Sequence, residues 1–379
     1  MTTTTAAPAL SHTPFHDFHL AHNAKMVPFV GWDMPLHYGS IIEEHKQVRR
    51  SGGMFDVSHM GRLRFTGKDA RLFLDRVCTR QIYGMTDGQI RYSLICNEQG
   101  GCKDDVLVYR LGETEYLMVC NAANRAKLLD HFAAVKEDMV FKLKDETEST
   151  AMLAVQGPKV IELIAGFSES IASIKRYRFS EKRILIAKLL ISRTGYTGED
   201  GVEIILPSSF AGMAIKKMLS EFGEENDLVK PTGLGARDSL RLEAGMALYG
   251  HEITETIDPV SAGLHFAIKY GKGDDNPEIG RYIGQDVLEK IKAEGPKQKL
   301  SGLILEGRRA ARQDMKVFSG EKEIGFITSG CLSPTLEKSI AMAYLNTDCA
   351  HPGETVSVDL GRQKIAAEIV SLPFYKAPK

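Results

Sequence analysis

No apolar run in this sequence reaches the roughly 18 residues that a membrane helix needs, so a helical membrane protein is excluded. The opening stretch, MTTTTAAPALSHTPF, has neither the basic and apolar blocks of a secretion signal nor the arginines of a transit peptide. A cytoplasmic protein with a loose first ten residues is therefore expected. Surplus charge is scarce too: 48 Lys and Arg stand against 49 Asp and Glu, a formal net charge of −1. That balance supplies no broad positive field, which argues against nucleic-acid and membrane-surface binding and leaves a neutral or small partner. Six cysteines occur (Cys78, Cys96, Cys102, Cys120, Cys331, Cys349), without CxxC or the Cys/His spacing of a zinc site. They read as reduced, mostly packed thiols. GxxxxGK[ST], GxGxxG and HExxH are all missing, which lowers nucleotide, dinucleotide and zinc-peptidase readings. No metal is expected, since His37, His45 and His251 lie far apart, and His59, in MFDVSHMG, reads as a satisfied core residue.

What is present is a chain of 379 residues, long enough for two or three cores. Short strand candidates are numerous: Asp105–Tyr109, Tyr116–Cys120, Met152–Val155, Ile184–Ile191, Val202–Leu206 and Leu300–Leu305, with several more after Val317. Helical spacing marks Ile41–Arg50, Ala70–Val77, Ala123–Ala134, Val160–Phe167, Phe210–Phe222, Ala236–Leu248 and Val287–Ala293. The two kinds alternate irregularly, which favours antiparallel α+β domains over a doubly wound parallel sheet. From Leu300 onward short strands and Gly-containing turns predict a small β barrel. The polar segments 271–279 and 289–298 separate it from the rest.

Three stretches could carry chemistry. In GGCKDDVLVYR, Asp104 and Asp105 precede a strand, and adjacent strand side chains point to opposite faces. The two are therefore not expected to form a facing pair. Asp105 shares a face with Leu107 and Tyr109, which would desolvate it and raise its pKa, as suits a proton-handling carboxylate; a turn aspartate bonding its own backbone is the plain alternative. In GLGARDSL, Arg237 falls in the first turn of a helix, where the helix dipole disfavours a cation by roughly 0.3–1 kcal/mol, so an anionic or carbonyl partner is indicated; a surface ion pair is the alternative. In SRTGYTGEDGVEIIL, Tyr196 sits among glycines and Glu203 within a strand. A carboxylate acting as a two-oxygen acceptor, beside an aromatic ring, suits a flat heterocycle with an amino group next to a ring N–H, although a hairpin tyrosine and a cross-strand glutamate are the plain alternative.

These stretches, with GWDMPLHYGSIIEEH, GMFDVSHMG, VCNAAN, AVQGP, GLGARDSLRLEAGMALYGHE, ITSGCLSPTLEKSIAMAYL and PFYK, run in order along nearly the whole chain. Together they resemble the folate-dependent aminomethyltransferase, or T protein, of the glycine cleavage system. The resemblance implies three domains in a cloverleaf around a central folate channel, the last a small β barrel. It implies segments 1–58 and 146–255 as a discontinuous folate-binding domain, 59–145 as the domain with the catalytic aspartate, 256–299 as a connection and 300–379 as the barrel. It also implies tetrahydrofolate as co-substrate, no metal, and a lipoylated H protein whose arm presents an aminomethyl group. The one-carbon unit would pass to tetrahydrofolate, forming 5,10-methylenetetrahydrofolate and releasing ammonia. Asp105 corresponds to the catalytic acid, Tyr92, Tyr196, Glu203 and Arg237 to folate-channel residues, and Asn121 to a residue where folate and lipoyl arm meet.

Two positions depart from that pattern: Pro28 stands where the family's MVDF word has aspartate, and Phe266 stands where tryptophan is frequent. Relatives of the same fold define the rival readings, a folate-dependent demethylase of a methylated amine or sulfonium compound and a non-catalytic folate-binding assembly factor. The latter carries a KGCYxGQ word, against RTGYTGE here. Arg308, Arg309 and Arg312 form a basic cluster that could steer an acidic partner.

Overall fold

The structure is a computed structural model that describes residues 9–184, 186–222, 227–276 and 278–378. The first eight residues, most of the segment expected to be loose, lie outside them. Two antiparallel sheets face one another. The first has five strands in the order Ile90–Cys96, Cys102–Gly112, Glu115–Cys120, Gly61–Thr66, Lys142–Asp145. The second has six, in the order Phe179–Ile184, Ala187–Ser192, Gly201–Pro207, Thr150–Gln156, Gly53–Asp56, Lys230–Pro231, the last pair being parallel.

Side-chain alternation assigns each face of the five-stranded sheet. Val106 and Val108 join Leu63, Phe65, Phe73 and Phe132 in a core under the flanking helices. Tyr109 and Leu117, with Leu107 packed alongside, turn the other way and meet Met152, Ala154 and Ile205 of the six-stranded sheet. A short three-stranded sheet, Ser11–His12, Trp32–His37 and Lys25–Phe29, completes the N-terminal part. Six strands from Gln298 to Val370 close into a barrel around Leu303, Val317, Ile327, Ala343 and Val358. The α+β class and C-terminal barrel expected from the sequence are thus what the chain adopts. Among the described residues no helix is long and apolar enough to cross a membrane.

The helix Leu234–Glu243 joins these bodies. Leu240 enters the core between the two sheets, while Leu242 packs against Ile340 and Met342 of the barrel. The buried Arg241 adds an ion pair to Glu252 at 2.7 Å and a hydrogen bond to Ser329 of the barrel at 2.8 Å. This helix stops five residues before the expected Leu248 because Gly245 takes a left-handed φ of 63°, which lets its N–H and that of Met246 turn back onto Leu242 and Arg241. The run Ile184–Ile191, expected as one strand, is shared by two paired strands, with Ile184 opposite Ala187. RILIAKLL holds no Gly, Pro, Asn or Asp to signal that reversal. All six cysteines are free thiols, four of them buried.

Candidate functional site

Asp105 projects from its strand toward the space between the sheets. Two neighbours hold it: the Tyr92 hydroxyl, on the adjacent strand, donates to Oδ2 at 3.2 Å, and the Asn121 amide donates to Oδ1 at 2.7 Å. Burial raises the Asp105 pKa above the usual carboxylate range, and these two hydrogen bonds oppose the rise. Asp104 points to the opposite face and is fully buried. The expectation that the neighbours do not face one another fits this geometry, yet they are not independent. Asn121 lies just past the end of the strand Glu115–Cys120, and its amide reaches around the sheet's end to Asp104 Oδ1, 2.8 Å away, as well as to Asp105. Burial first and the Asp105 charge second push Asp104 up to about 8.

The wall facing Asp105 comes from the six-stranded sheet and the helix Leu234–Glu243. Tyr196 sits in the loop between Ala187–Ser192 and Gly201–Pro207, and its hydroxyl donates to the Ala247 carbonyl at 2.6 Å. Gly195 is required there: a Cβ would lie 1.7 Å from the Gln156 side-chain oxygen. Gln156, in turn, pins the loop by donating a hydrogen bond from its side-chain Nε2 to the Thr194 carbonyl. The Arg237 guanidinium carbon lies 5.0 Å from the Tyr196 ring centre and 5.9 Å from that of Phe55, so two aromatic faces hold the cation. Its Nη1 is buried without a hydrogen-bond partner. Glu203 is 6% exposed, and its Oε2 accepts from the Thr194 hydroxyl at 2.5 Å. Burial raises Glu203 and lowers Arg237, each partly countered by the other's charge, but no ion pair joins them. A half-buried cation with an unbonded N–H and a buried carboxylate in the same wall form a donor and acceptor set for a bound polar group.

All six residues singled out from the sequence therefore line one region: Tyr92, Asp105 and Asn121 on one side, Tyr196, Glu203 and Arg237 on the other. Burial, with the Asp105 charge as a lesser cause, holds the hydroxyls of both Tyr92 and Tyr196 protonated well above neutral pH. Phe266, 58% exposed, stacks on Tyr92 with ring centres 5.6 Å apart and so places a second aromatic face beside Asp105. Thr194, Phe55 and Asn124 were not foreseen as participants. Thr194 stood in a quoted motif, but only the register of Ser192 opposite Glu203 brings it to the carboxylate.

His59 departs from the expected satisfied core histidine. It is 4% exposed and lies edge-on to Phe29, but its Nδ1 has no hydrogen-bond partner. Burial, aided by the Arg237 and Arg62 charges and resisted by Asp56, pushes its pKa down to about 4. The unfolded chain takes up this proton near pH 6.5, so between 6.5 and 4 it binds more protons than the folded one. The stability held at neutral pH should fall through that window, by an amount on the order of 3 kcal/mol at its acid end. His59→Gln should flatten the melting temperature over this range in calorimetry; an unchanged slope would refute the assignment.

His12, His16 and Asp33, which the sequence reading passed over, bring ligating atoms within 4.8 Å of one another. The two imidazoles are stacked 3.7 Å apart at 2°, so their lone pairs run side by side, and His16 is already hydrogen-bonded to Asp33 at 3.0 Å. The trio as arranged is a stacked pair with an acceptor.

A carboxylate held by Tyr92 and Asn121 between the two sheets, with Tyr196, Arg237 and Glu203 gathered in the opposite wall, gives the chain a polar cleft suited to group transfer. The family model described as the GCVT N-terminal domain matches residues 15–272, and that of the glycine cleavage T-protein C-terminal barrel domain matches residues 298–376. The chain is 41% identical over 371 residues to an aminomethyltransferase of Exiguobacterium sibiricum, covering 98% of this chain and 99% of that protein. It is 42% identical over 371 residues to one of Rubrobacter xylanophilus, covering 97% and 95%. The crystal structure of glycine cleavage system aminomethyltransferase T from Bartonella henselae superposes with a TM-score of 0.88 at 31% identity, covering 97% of this chain and 99% of that one. The chain belongs to the glycine cleavage T-protein family. Its activity is that of an aminomethyltransferase.

Proposed function

We propose that the acceptor is tetrahydrofolate and that the donor is the aminomethyl group carried on the lipoyl arm of an H protein. The observation that carries this reading is the pair in one wall opposite Asp105, a buried Glu203 and a half-buried Arg237 whose Nη1 is buried and unbonded among the described residues, with no ion pair between them. A reduced pterin has an amino group beside a ring N–H, matching a two-oxygen acceptor, and a ring carbonyl, matching a guanidinium donor. When bound, tetrahydrofolate supplies the nitrogen that takes the one-carbon unit, ammonia is released, and the dihydrolipoyl arm is freed. Asp105 holds and polarises the attacking amine and handles its proton; Tyr92 and Asn121 fix the carboxylate in place. No covalent intermediate on the protein is needed, and the reaction calls for no metal.

Sheet membership supports a division into a discontinuous domain, 1–58 with 146–255, holding Glu203, Tyr196 and Arg237; a domain 59–145 holding Asp105; a connecting segment 256–299; and the barrel 300–379. A cytoplasmic location accords with the free thiols. Incubating the protein with aminomethylated H protein and tetrahydrofolate should yield ammonia and 5,10-methylenetetrahydrofolate. No product from that pair, with turnover of a methylated amine or sulfonium compound instead, would establish the demethylase reading.

Arg308, Arg309 and Arg312 are exposed on one barrel loop, and none of them forms an ion pair among the described residues. They are placed to steer an acidic H protein. Replacing all three with alanine should lower the association rate about tenfold at low salt and shallow its dependence on ionic strength, as measured by stopped flow. An unchanged rate and slope would remove the cluster from the docking surface.

A further inference from the structure

We propose that Asp104 is a positioning residue for the transfer reaction: it sets the side-chain amide of Asn121 so that one N–H of that amide is always directed at Asp105. The proposal rests on the functional reading above and assigns a role to a residue outside the six already named.

Asp104 is enclosed and accepts three N–H groups. Asn121 Nδ2 and Asn124 Nδ2 reach Oδ1 at 2.8 and 2.6 Å, and the Asn121 backbone N–H reaches Oδ2 at 3.1 Å. The Asn121 amide nitrogen has two hydrogens, and one is taken by Asp104 and the other by Asp105. An amide side chain can present either its nitrogen or its oxygen to a neighbour, and here Asp104 decides which. With Asp104 in place, turning the oxygen inward would forfeit the N–H bond to Asp104 Oδ1 and set an amide lone pair against the Asp105 carboxylate. Without Asp104, Asn121 keeps only its contacts to Asp105, to the carboxylate at 2.7 Å and to the backbone carbonyl at 3.3 Å, and is freer to rotate. Asn124 contacts Asp104 but neither Asp105 nor Asn121's amide, so it braces the carboxyl from behind. The two acids thus act in series from opposite faces of one strand, which explains a buried carboxyl that no cation neutralises.

The test is a double-mutant cycle with a structural arm. In the H protein assay, Asp104→Ala should lower kcat about 30-fold, with tetrahydrofolate affinity by calorimetry changed less than about threefold. Asn121→Ala should cause a similar loss, and combining the two should add less than about threefold more, because both break one linkage. Asp104→Asn keeps an oxygen for the two amides in a near-identical shape, so it should fold normally and lose only about fivefold. A crystal structure of Asp104→Ala should show the Asn121 amide turned from Asp105. Losses that multiply in the double variant, an Asn variant as impaired as the Ala variant, or an unmoved Asn121 would each overturn the proposal. An inactive wild-type chain would instead defeat the functional reading, with the crystal still deciding the placement of Asn121.

Discussion

Asp105→Asn should lower kcat by about three orders of magnitude while leaving tetrahydrofolate affinity within about threefold of the wild type, since removing a positioned proton acceptor commonly forfeits 10²–10⁴ in rate. The substitution keeps the volume and can still accept from Asn121, so what is lost is the charge and the basic oxygen. Burial raises the pKa of Asp105, which makes its carboxylate a better proton acceptor than an exposed aspartate, while the bonds from Asn121 and Tyr92 oppose the rise. The acid limb of kcat/KM should accordingly lie above the ordinary aspartate range in the wild type and vanish in the variant. Because the group acts on the transferring centre and not on binding, kcat and kcat/KM should fall together. Turnover by Asp105→Asn within tenfold of the wild type would move the catalytic role elsewhere in the site.

The sequence placed Asp105 well because it reported the quantity that mattered, the parity of a strand. Val106 and Val108 belong to one core and Leu107 and Tyr109 to another, so alternation alone assigns the two aspartates to separate faces. The Asn121 bridge was not legible, because it depends on where the neighbouring strand ends and how far an amide reaches around that end. Arg237 was flagged by its electrostatic misfit in a first helical turn, while the rings that hold it, Phe55 and Tyr196, come from remote strands and loops. Two local readings failed for definite reasons. A hairpin without turn residues hid inside Ile184–Ile191, and an apolar stripe continued past a glycine that had already ended its helix. The strand Lys25–Phe29 went unread because Pro28 argues against a strand interior; it is tolerated because this strand lies at a sheet edge.

Glu203→Ala should weaken tetrahydrofolate binding by about two to four orders of magnitude in calorimetry, from the loss of two hydrogen bonds to a charged acceptor at about 1.5–3 kcal/mol each. Glu203→Gln should fall between, near tenfold, since it keeps one acceptor but turns an N–H donor toward the ligand's own donors. Fold stability should move little or rise, because burial holds the Glu203 pKa above that of a free glutamate and so makes its charge a net cost to the folded state. That contrast separates a binding residue from a structural one, because a glutamate kept for packing would lose melting temperature before affinity. At saturating folate the Ala variant should retain kcat within about fivefold, as expected for an interaction made equally in ground and transition states. An Ala variant that binds tetrahydrofolate as tightly as the wild type would place the heterocycle elsewhere and leave the unpaired glutamate and arginine unexplained.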